Sequence, residues 1–551
     1  MNNEQHNEQH NEQHNENADQ ANQVEQSGKQ GVSRRSFIAV AGSGLAVAAG
    51  CNYVGTETAV NRFVTGNPIG GRGWIPGQYT STGNFPPQVR GRVPIDPDNP
   101  TIERNDRKCI LCGQCVEVCD NEQAIHGRGS DGLGHYALPL VDSVPCIGCG
   151  QCVLWCPTSS IEVRDDTARL WAALKDPRKH VVIQTAPSTR IGLGEEFGLP
   201  AGTNVEGKQV AALRALGFDA VLDTNFGADM TIMEESTELV QRLTGKKDLP
   251  LPQFTSCCPG WVKYCEMFYP ELIPHLSTAL SPMGMLASMI KTYYADRKNI
   301  APENIFSVAL MPCTAKKYEI IRPEMNAPGV KLGNPEIRTT DLVITTRELA
   351  WMLNQRRINL LELEDAPYDD LLSEYSGGGA IFGVTGGVME SAVRSAYYFI
   401  TGNNPPPAKL ALKPVRGLAG IKDTTLEIPG YGEIRVAVVH GTANAKRVLD
   451  KVKSGEVAWH FIEFMACQGG CIGGGGQPKT ALPPSDAVRH ARIGALYDID
   501  NREGILRSAH ENTQIKALYE NFIGEPCGEL AYQLLHTPHF LDRSNRLTAR
   551  R

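Results

Sequence analysis

Cys109 to Cys119 reads CILCGQCVEVC, and Cys146 to Pro157 reads CIGCGQCVLWCP. Both runs set cysteines at C-x2-C-x2-C-x3-C: Cys109, Cys112, Cys115 and Cys119 in the first, Cys146, Cys149, Cys152 and Cys156 in the second. In such a run a tight loop aims three thiolates at one iron–sulfur cluster, while the fourth, on the following helix, points to the other cluster. The spacing therefore predicts an α+β module with two 4Fe-4S clusters. One is held by Cys109, Cys112, Cys115 and Cys156, the second by Cys146, Cys149, Cys152 and Cys119. Zinc ribbons would favour paired C-x2-C knuckles instead.

The rest of the chain bears out a metal reading of its cysteines. Of 16 cysteines in 551 residues, eight lie in these two runs and most others in three short motifs far downstream. An oxidised secreted framework would scatter them through a much shorter chain. At 41% hydrophobic and 21% charged, the chain is long enough for three or four globular domains. A formal charge of −7 without a basic stripe argues against nucleic acid as a partner.

Upstream, NEQH repeats from Asn3 to His14 and almost nothing apolar follows until Phe37, a composition that predicts disorder. His6, His10 and His14 recur every four residues but are assigned no site. Ser33-Arg34-Arg35-Ser36-Phe37-Ile38 resembles a twin-arginine export signal, and the weakly apolar run to Gly50 is too short to span a membrane. Ala48-Ala49-Gly50-Cys51 resembles a lipoprotein cleavage box, so Cys51 is a candidate anchor. Residues 1–51 are read as leader and signal, 52–100 as a Gly- and Pro-rich linker, and 101–170 as the two-cluster domain, which is ferredoxin-like.

From about residue 175, β-rich runs (HVVIQTA, AVLDT, FSVALMP, DLVITT, RVAVVHG) alternate with longer helical patterns, which predicts α/β layers of mostly parallel strands. Three cysteine motifs fall at or after strand ends, where open α/β sheets bind ligands. They are TSCCPGW (Thr255–Trp261), MPCTAKKYE around Cys313, and FMACQGGCIGGGGQP with Cys467 and Cys471. Gly473 to Gly476 lacks the Lys-Ser/Thr of a phosphate loop, so close backbone packing around a cofactor is expected there.

These three motifs, in this order and after a two-cluster module, resemble the signatures of the iron-only (FeFe) hydrogenases, over about Arg107 to His539. The resemblance implies a catalytic domain at 175–495, with two parallel-sheet lobes around an H-cluster, and a small-subunit-like segment at 496–551. It implies that Cys258, Cys313, Cys467 and Cys471 hold the 4Fe-4S part of the H-cluster, with Cys471 also bridging to a di-iron unit that carries CO, cyanide and a dithiolate. Cys257 resembles the free thiol that passes protons. Glu235 and Glu238, with Ser277 between them, resemble the proton relay, ending near Arg242, and Glu319 joins them among the catalytic residues. Lys316 resembles the donor to one cyanide, and Pro187 and Ser188 the contact to the other. Met311, Met465 and Phe382 resemble the apolar wall, while Met283 stands where relatives often carry Gln. Cys265 and Cys527 match no ligand position.

On spacing alone, Thr231 and Glu234 read as a capping box that starts a helix, which would put Glu235, Glu238 and Arg242 on one face. The activity implied is reversible oxidation of H2 to protons and electrons. Electrons would pass through two 4Fe-4S clusters to a redox partner such as a cytochrome or membrane protein, after maturation by cytoplasmic H-cluster assembly proteins and export. Uptake of H2 is the expected direction. A sensory hydrogenase of low turnover and a non-catalytic iron–sulfur assembly relative are the alternatives.

Overall fold

The computed structural model describes residues 93, 95, 98–123, 125, 146–407, 411–480, 482 and 484–544. The leader, Arg34, Arg35, Cys51 and nearly all of 52–100 lie outside the described residues.

In the cysteine-rich module, strands β1 (Ile102–Arg104) and β2 (Ile161–Val163) pair antiparallel. Each cysteine loop turns into a short helix, Gln114–Glu117 or Gln151–Trp155, through a left-handed glycine, Gly113 at φ +77° and Gly150 at φ +69°. Only glycine adopts that conformation without a Cβ clash, and it swings the last two cysteines of each run onto the helix side of the loop.

The larger body holds two four-stranded sheets. One is parallel throughout, in the order β4 (Ala220–Asp223), β3 (His180–Thr185), β6 (Ile305–Met311), β7 (Leu342–Thr345). Its strands are almost wholly buried, as a parallel sheet covered on both faces requires. The other runs β5 (Gln253–Phe254), β10 (Phe461–Met465), β9 (Gly432–His440), β8 (Ile421–Ile428). This sheet corrects the expectation of two parallel lobes, because β8 and β9 form an antiparallel hairpin. The hairpin's β8 alternates buried and exposed residues, the pattern of an edge strand with one wet face.

A second correction concerns the helix that carries the carboxylates. It spans Thr224–Leu243, starting seven residues before Thr231, because Asp223 caps it by accepting from the Asn225 N–H. Thr231 lies inside it and donates to the Gly227 carbonyl at 3.0 Å. The helix is buried along most of its length between Pro282–Met289 and Gly387–Thr401. Among the described residues no helix is long and apolar enough to cross a membrane.

Candidate metal centre

TSCCPGW leaves the end of β5 and enters the helix Pro259–Phe268, with Cys258 at the N-cap and Pro259 in the first turn, where proline's missing N–H costs nothing. Trp261 locks the turn. It is fully buried, donates from Nε1 to the Thr255 carbonyl at 2.9 Å and stacks on Phe464 at 4.0 Å between centroids. The two adjacent cysteines then face different surroundings. Cys258 packs toward Cys149 and Trp261, and its Sγ accepts from the Ala466 N–H at 3.4 Å. Cys257 packs with Ile232, Phe382 and Met465.

Cys313 follows β6, and Cys467 and Cys471 follow β10, so strand ends from both sheets bring thiols together. Burial, and after it the charges of Cys313, Cys149, Cys258 and Cys471, pushes the Cys467 thiol well above its ordinary value. Burial and Cys258 push Cys313 up to about 12, and burial with Cys313 and Cys258 raises Cys471. Buried thiols that oppose one another's ionisation need a cationic centre to become thiolates together, and iron supplies it. The donor set fits a metal cluster.

The cysteine-rich module sits against this centre by backbone contact. A Cβ on Gly475 would lie 2.6 Å from both the Cys149 carbonyl and Gly150 Cα. Gln151 donates to the Gly473 carbonyl at 2.8 Å, and Thr314 to the Gly148 carbonyl at 2.6 Å. The glycine run therefore serves close packing, as expected, and leaves Cys149 within electrostatic reach of Cys258 and Cys313. Within the module, Cys112 feels Cys156 and Cys109, while Cys152 feels Cys149, Cys146, Cys115 and Cys119, thiols of both runs. Cys119, Cys146, Cys149 and Cys152 line one cavity with Ile102, Val118 and Ile147. The cavity is thus lined by the four cysteines that the spacing assigns to the second cluster.

Glu235 and Glu238 are both buried on the Thr224–Leu243 helix. Glu235 Oε1 accepts from the Ser256 N–H at 3.4 Å, while Oε2 has no hydrogen-bond partner. Burial raises its carboxyl to about 8, with Glu238 and Glu463 adding to the rise. For Glu238 burial is outweighed by Arg242 and Lys247, which hold it below the ordinary carboxylate range. Arg242 Nη2 lies 2.7 Å from Glu238 Oε1, Lys247 Nζ lies 3.4 Å from that same oxygen, and Ser277 donates to Oε2 at 2.9 Å. Two carboxylates one helical turn apart are thus poised in opposite protonation states near pH 7.

Lys316 Nζ donates to the Cys257 carbonyl at 3.2 Å and lies 2.6 Å from Glu319 Oε2. Burial works against its charge, but Glu319 more than compensates. Glu319 in turn accepts from Ser281 at 2.5 Å. Ser188, beside Pro187, donates to the Gly383 carbonyl at 3.5 Å, next to Phe382, and its own carbonyl accepts from Gln477 at 2.7 Å. Phe382 and Met465 pack with Cys257, whereas Met311 packs in a separate cluster with Met283, Ala186 and Val343. Cys265 is a fully buried thiol bonded to the Tyr269 carbonyl at 3.6 Å. Lys247, Ser281 and Glu463 were not singled out from sequence. No local pattern marks them, because each meets its site across more than 8 residues of chain.

Residues 179–475 match the family described as iron only hydrogenase large subunit, C-terminal domain; 486–542 match iron hydrogenase small subunit, and 108–160 a 4Fe-4S dicluster domain. The chain is 46% identical over 389 residues to the periplasmic Fe hydrogenase large subunit of Nitratidesulfovibrio vulgaris, spanning 70% of this chain and 88% of that one. It is 42% identical over 446 residues to iron hydrogenase 1 of Clostridium pasteurianum, spanning 79% and 75%. The structure of an apo FeFe hydrogenase from Chlamydomonas reinhardtii aligns with a TM-score of 0.60 at 40% identity, covering 68% of this chain and 98% of that one. Cytosolic iron-sulfur assembly component 3 of Bos taurus is more distant, 31% identical over 72% of this chain and 81% of its own. The chain belongs to the iron-only hydrogenase large-subunit family, oxidoreductases that act on H2 with an H-cluster and 4Fe-4S clusters as cofactors.

Proposed function

We propose that this hydrogenase oxidises H2 outside the cytoplasm, sending protons through Cys257 and electrons toward the two-cluster module. The observation that carries this reading is the divergence of the vicinal pair. Cys258 turns to the thiols, and Cys257 turns to the apolar pocket within electrostatic reach of Glu235. When bound, the H-cluster supplies the chemistry that splits H2. Cys258, Cys313, Cys467 and Cys471 would hold it, Cys471 also serving its di-iron part. Lys316 would donate to one cyanide, Pro187 and Ser188 would contact the other, and Phe382, Met465 and Met311 would keep water out.

Glu235 first passes its own proton outward through Ser277 Oγ; its Oε2, the buried oxygen without a partner, then takes the Cys257 thiol proton, and Cys257 Sγ is left free to take up the next one. Ser277 Oγ delivers that proton to Glu238 Oε2, and Arg242 and Lys247, whose positive charges hold Glu238 ionised, keep it ready to accept the proton and release it to solvent. Glu319 keeps Lys316 charged and aimed. The module at 101–170 docks through Gln151 on the Gly473 carbonyl and through its Gly148 carbonyl on Thr314, which gives electrons an exit that does not use the carboxylates. Residues 496–551 act as the small-subunit-like part in the same chain.

Direction follows from place. The twin-arginine stretch at Arg34 and Arg35 moves folded proteins, so cytoplasmic maturation of the H-cluster precedes export, and Cys51 is a candidate anchor. Outside, soluble NADH and cytoplasmic ferredoxin are absent, so a cytochrome or membrane redox protein accepts the electrons and uptake prevails. The N. vulgaris relative is named periplasmic, which agrees with this reading. The catalytic reading is tested by infrared spectroscopy with dye-linked H2 assays on matured protein: CO and cyanide bands with turnover are expected, and their absence would sink it. Fractionation tests the place, because activity confined to the cytoplasm in wild type would refute export, and Arg34→Lys/Arg35→Lys should trap active enzyme inside.

A further inference from the structure

Glu234, the residue before the relay carboxylate Glu235, takes no part in the relay. Its oxygens turn instead to the C-terminal segment, where they meet a thiol and an imidazole. Glu234 Oε2 lies 3.0 Å from His536 Nε2 and accepts the Cys527 N–H at 2.6 Å. One carboxylate oxygen, Cys527 Sγ and a His536 ring nitrogen all lie within 4.8 Å of one another. Glu234 and His536 are buried, and Cys527 is half-buried, so the cluster opens to solvent on the thiol side.

We propose that Glu234, Cys527 and His536 form a second metal site, for a thiophilic divalent cation of the Zn2+ class, which fastens the C-terminal segment to the Thr224–Leu243 helix. One sulfur, one nitrogen and one oxygen donor suit that class, whereas Mg2+ and Ca2+ want all-oxygen shells. The supporting hydrogen bonds are those a metal site needs. Thr278 Oγ1 lies 2.8 Å from His536 Nδ1, so Nδ1–H can donate there and leave the Nε2 lone pair for the cation. Tyr519 donates to Glu234 Oε1 at 2.5 Å, which leaves Oε2 as the ligand atom. The charges also close: a carboxylate, a thiolate and a neutral imidazole neutralise one divalent ion. Glu234's other partners, the Tyr519 hydroxyl and the Cys527 N–H, carry no fixed positive charge. Water fills the fourth position from the open side.

Binding turns Cys527 Sγ from the Glu234 carbonyl, where it lies at 3.5 Å, breaks its S–H bond and releases that proton to solvent, so affinity rises with pH. No redox change accompanies it. The site lies apart from the twelve cluster cysteines, which is what allows it to be tested in the loaded enzyme.

The test equilibrates cluster-loaded protein with ZnSO4, removes excess by gel filtration, and measures zinc content and the zinc-edge X-ray absorption, which iron does not obscure. One zinc per chain is expected, with one sulfur at about 2.3 Å and the remaining ligands nitrogen or oxygen. Cys527→Ala should lose that sulfur and weaken binding at least about tenfold, and Thr278→Val should weaken it about 10- to 100-fold through His536. Iron content and the infrared bands of Cys527→Ala should match wild type, which separates loss of the site from misfolding. No retained zinc, a shell of oxygen and nitrogen only, or unchanged affinity in Cys527→Ala would each overturn the proposal.

Discussion

Glu234 and Glu235 are neighbours on one helix, and both are buried, yet they live in different electrostatic worlds. Glu234 receives the Tyr519 hydroxyl, the Cys527 N–H and His536. Glu235 has one long hydrogen bond from the Ser256 N–H and an oxygen with none. A buried carboxyl denied donors keeps its proton, as Glu235 does, whereas the donors around Glu234 tie it to the C-terminal segment. One face of the helix therefore anchors the C-terminal segment, and the other carries the proposed proton relay. The same division separates Cys258 from Cys257.

Breaking the proton-moving face should cost most. Cys257→Ala should lower dye-linked H2 turnover about 100- to 10,000-fold, the range of a lost general acid–base group, while infrared bands of the H-cluster persist. Wild-type turnover in a cluster-bearing variant would remove Cys257 from the mechanism. Glu235→Gln keeps shape but cannot release a proton, and should cost about 100-fold in the same assay. It also sharpens the comparison through pH. The folded state binds the Glu235 proton more tightly than the unfolded chain does, so its contribution to stability is full below about 4.5 and is lost as pH rises toward about 8. Denaturation midpoints of wild type should fall across that window relative to Glu235→Gln; parallel curves would mean the carboxyl is not raised.

Ser277→Ala leaves Glu238 Oε2 with the Thr278 N–H alone, at 3.3 Å, and should slow turnover about tenfold, equivalent to ~1.4 kcal/mol. The smallest effect on turnover is expected on the anchoring face. Tyr519→Phe removes a hydrogen bond to a buried carboxylate, which should cost ~1.5–3 kcal/mol of stability, with turnover within about threefold of wild type. A turnover loss as large as that of Glu235→Gln would erase the distinction between the two faces.

The cysteine runs and the three motifs were legible as metal sites because a tight loop carries its ligand geometry in its own spacing. Cys109 to Cys119 needs only Gly113 and a turn of helix to aim its thiols, and Pro259 after Cys258 already marks a helix start. The five β-rich runs likewise became β3, β4, β6, β7 and β9. Within the larger body the strands not read, β5, β8 and β10, are a two-residue strand, an edge strand with mixed polarity, and a short run that leads into a cysteine motif. Each owes its existence to a partner: β5 to β10, β8 to β9.

The protonation states were beyond the sequence for the same reason. Thr231-x-x-Glu234 looks like a cap, but Asp223 caps the helix, and Glu234 spends its oxygens on residues 519 to 536. Glu235 and Glu238 differ because Arg242 and Ser277 hydrogen-bond only Glu238. By itself the sequence marked the two cysteine runs as metal sites, since their thiols sit within a few residues of each other, while Cys258, Cys313 and Cys467 meet only through the strand ends that carry them. Tertiary structure alone decided which buried carboxylate holds a proton and which holds the chain, because burial and partners hundreds of residues away set the cost of a charge.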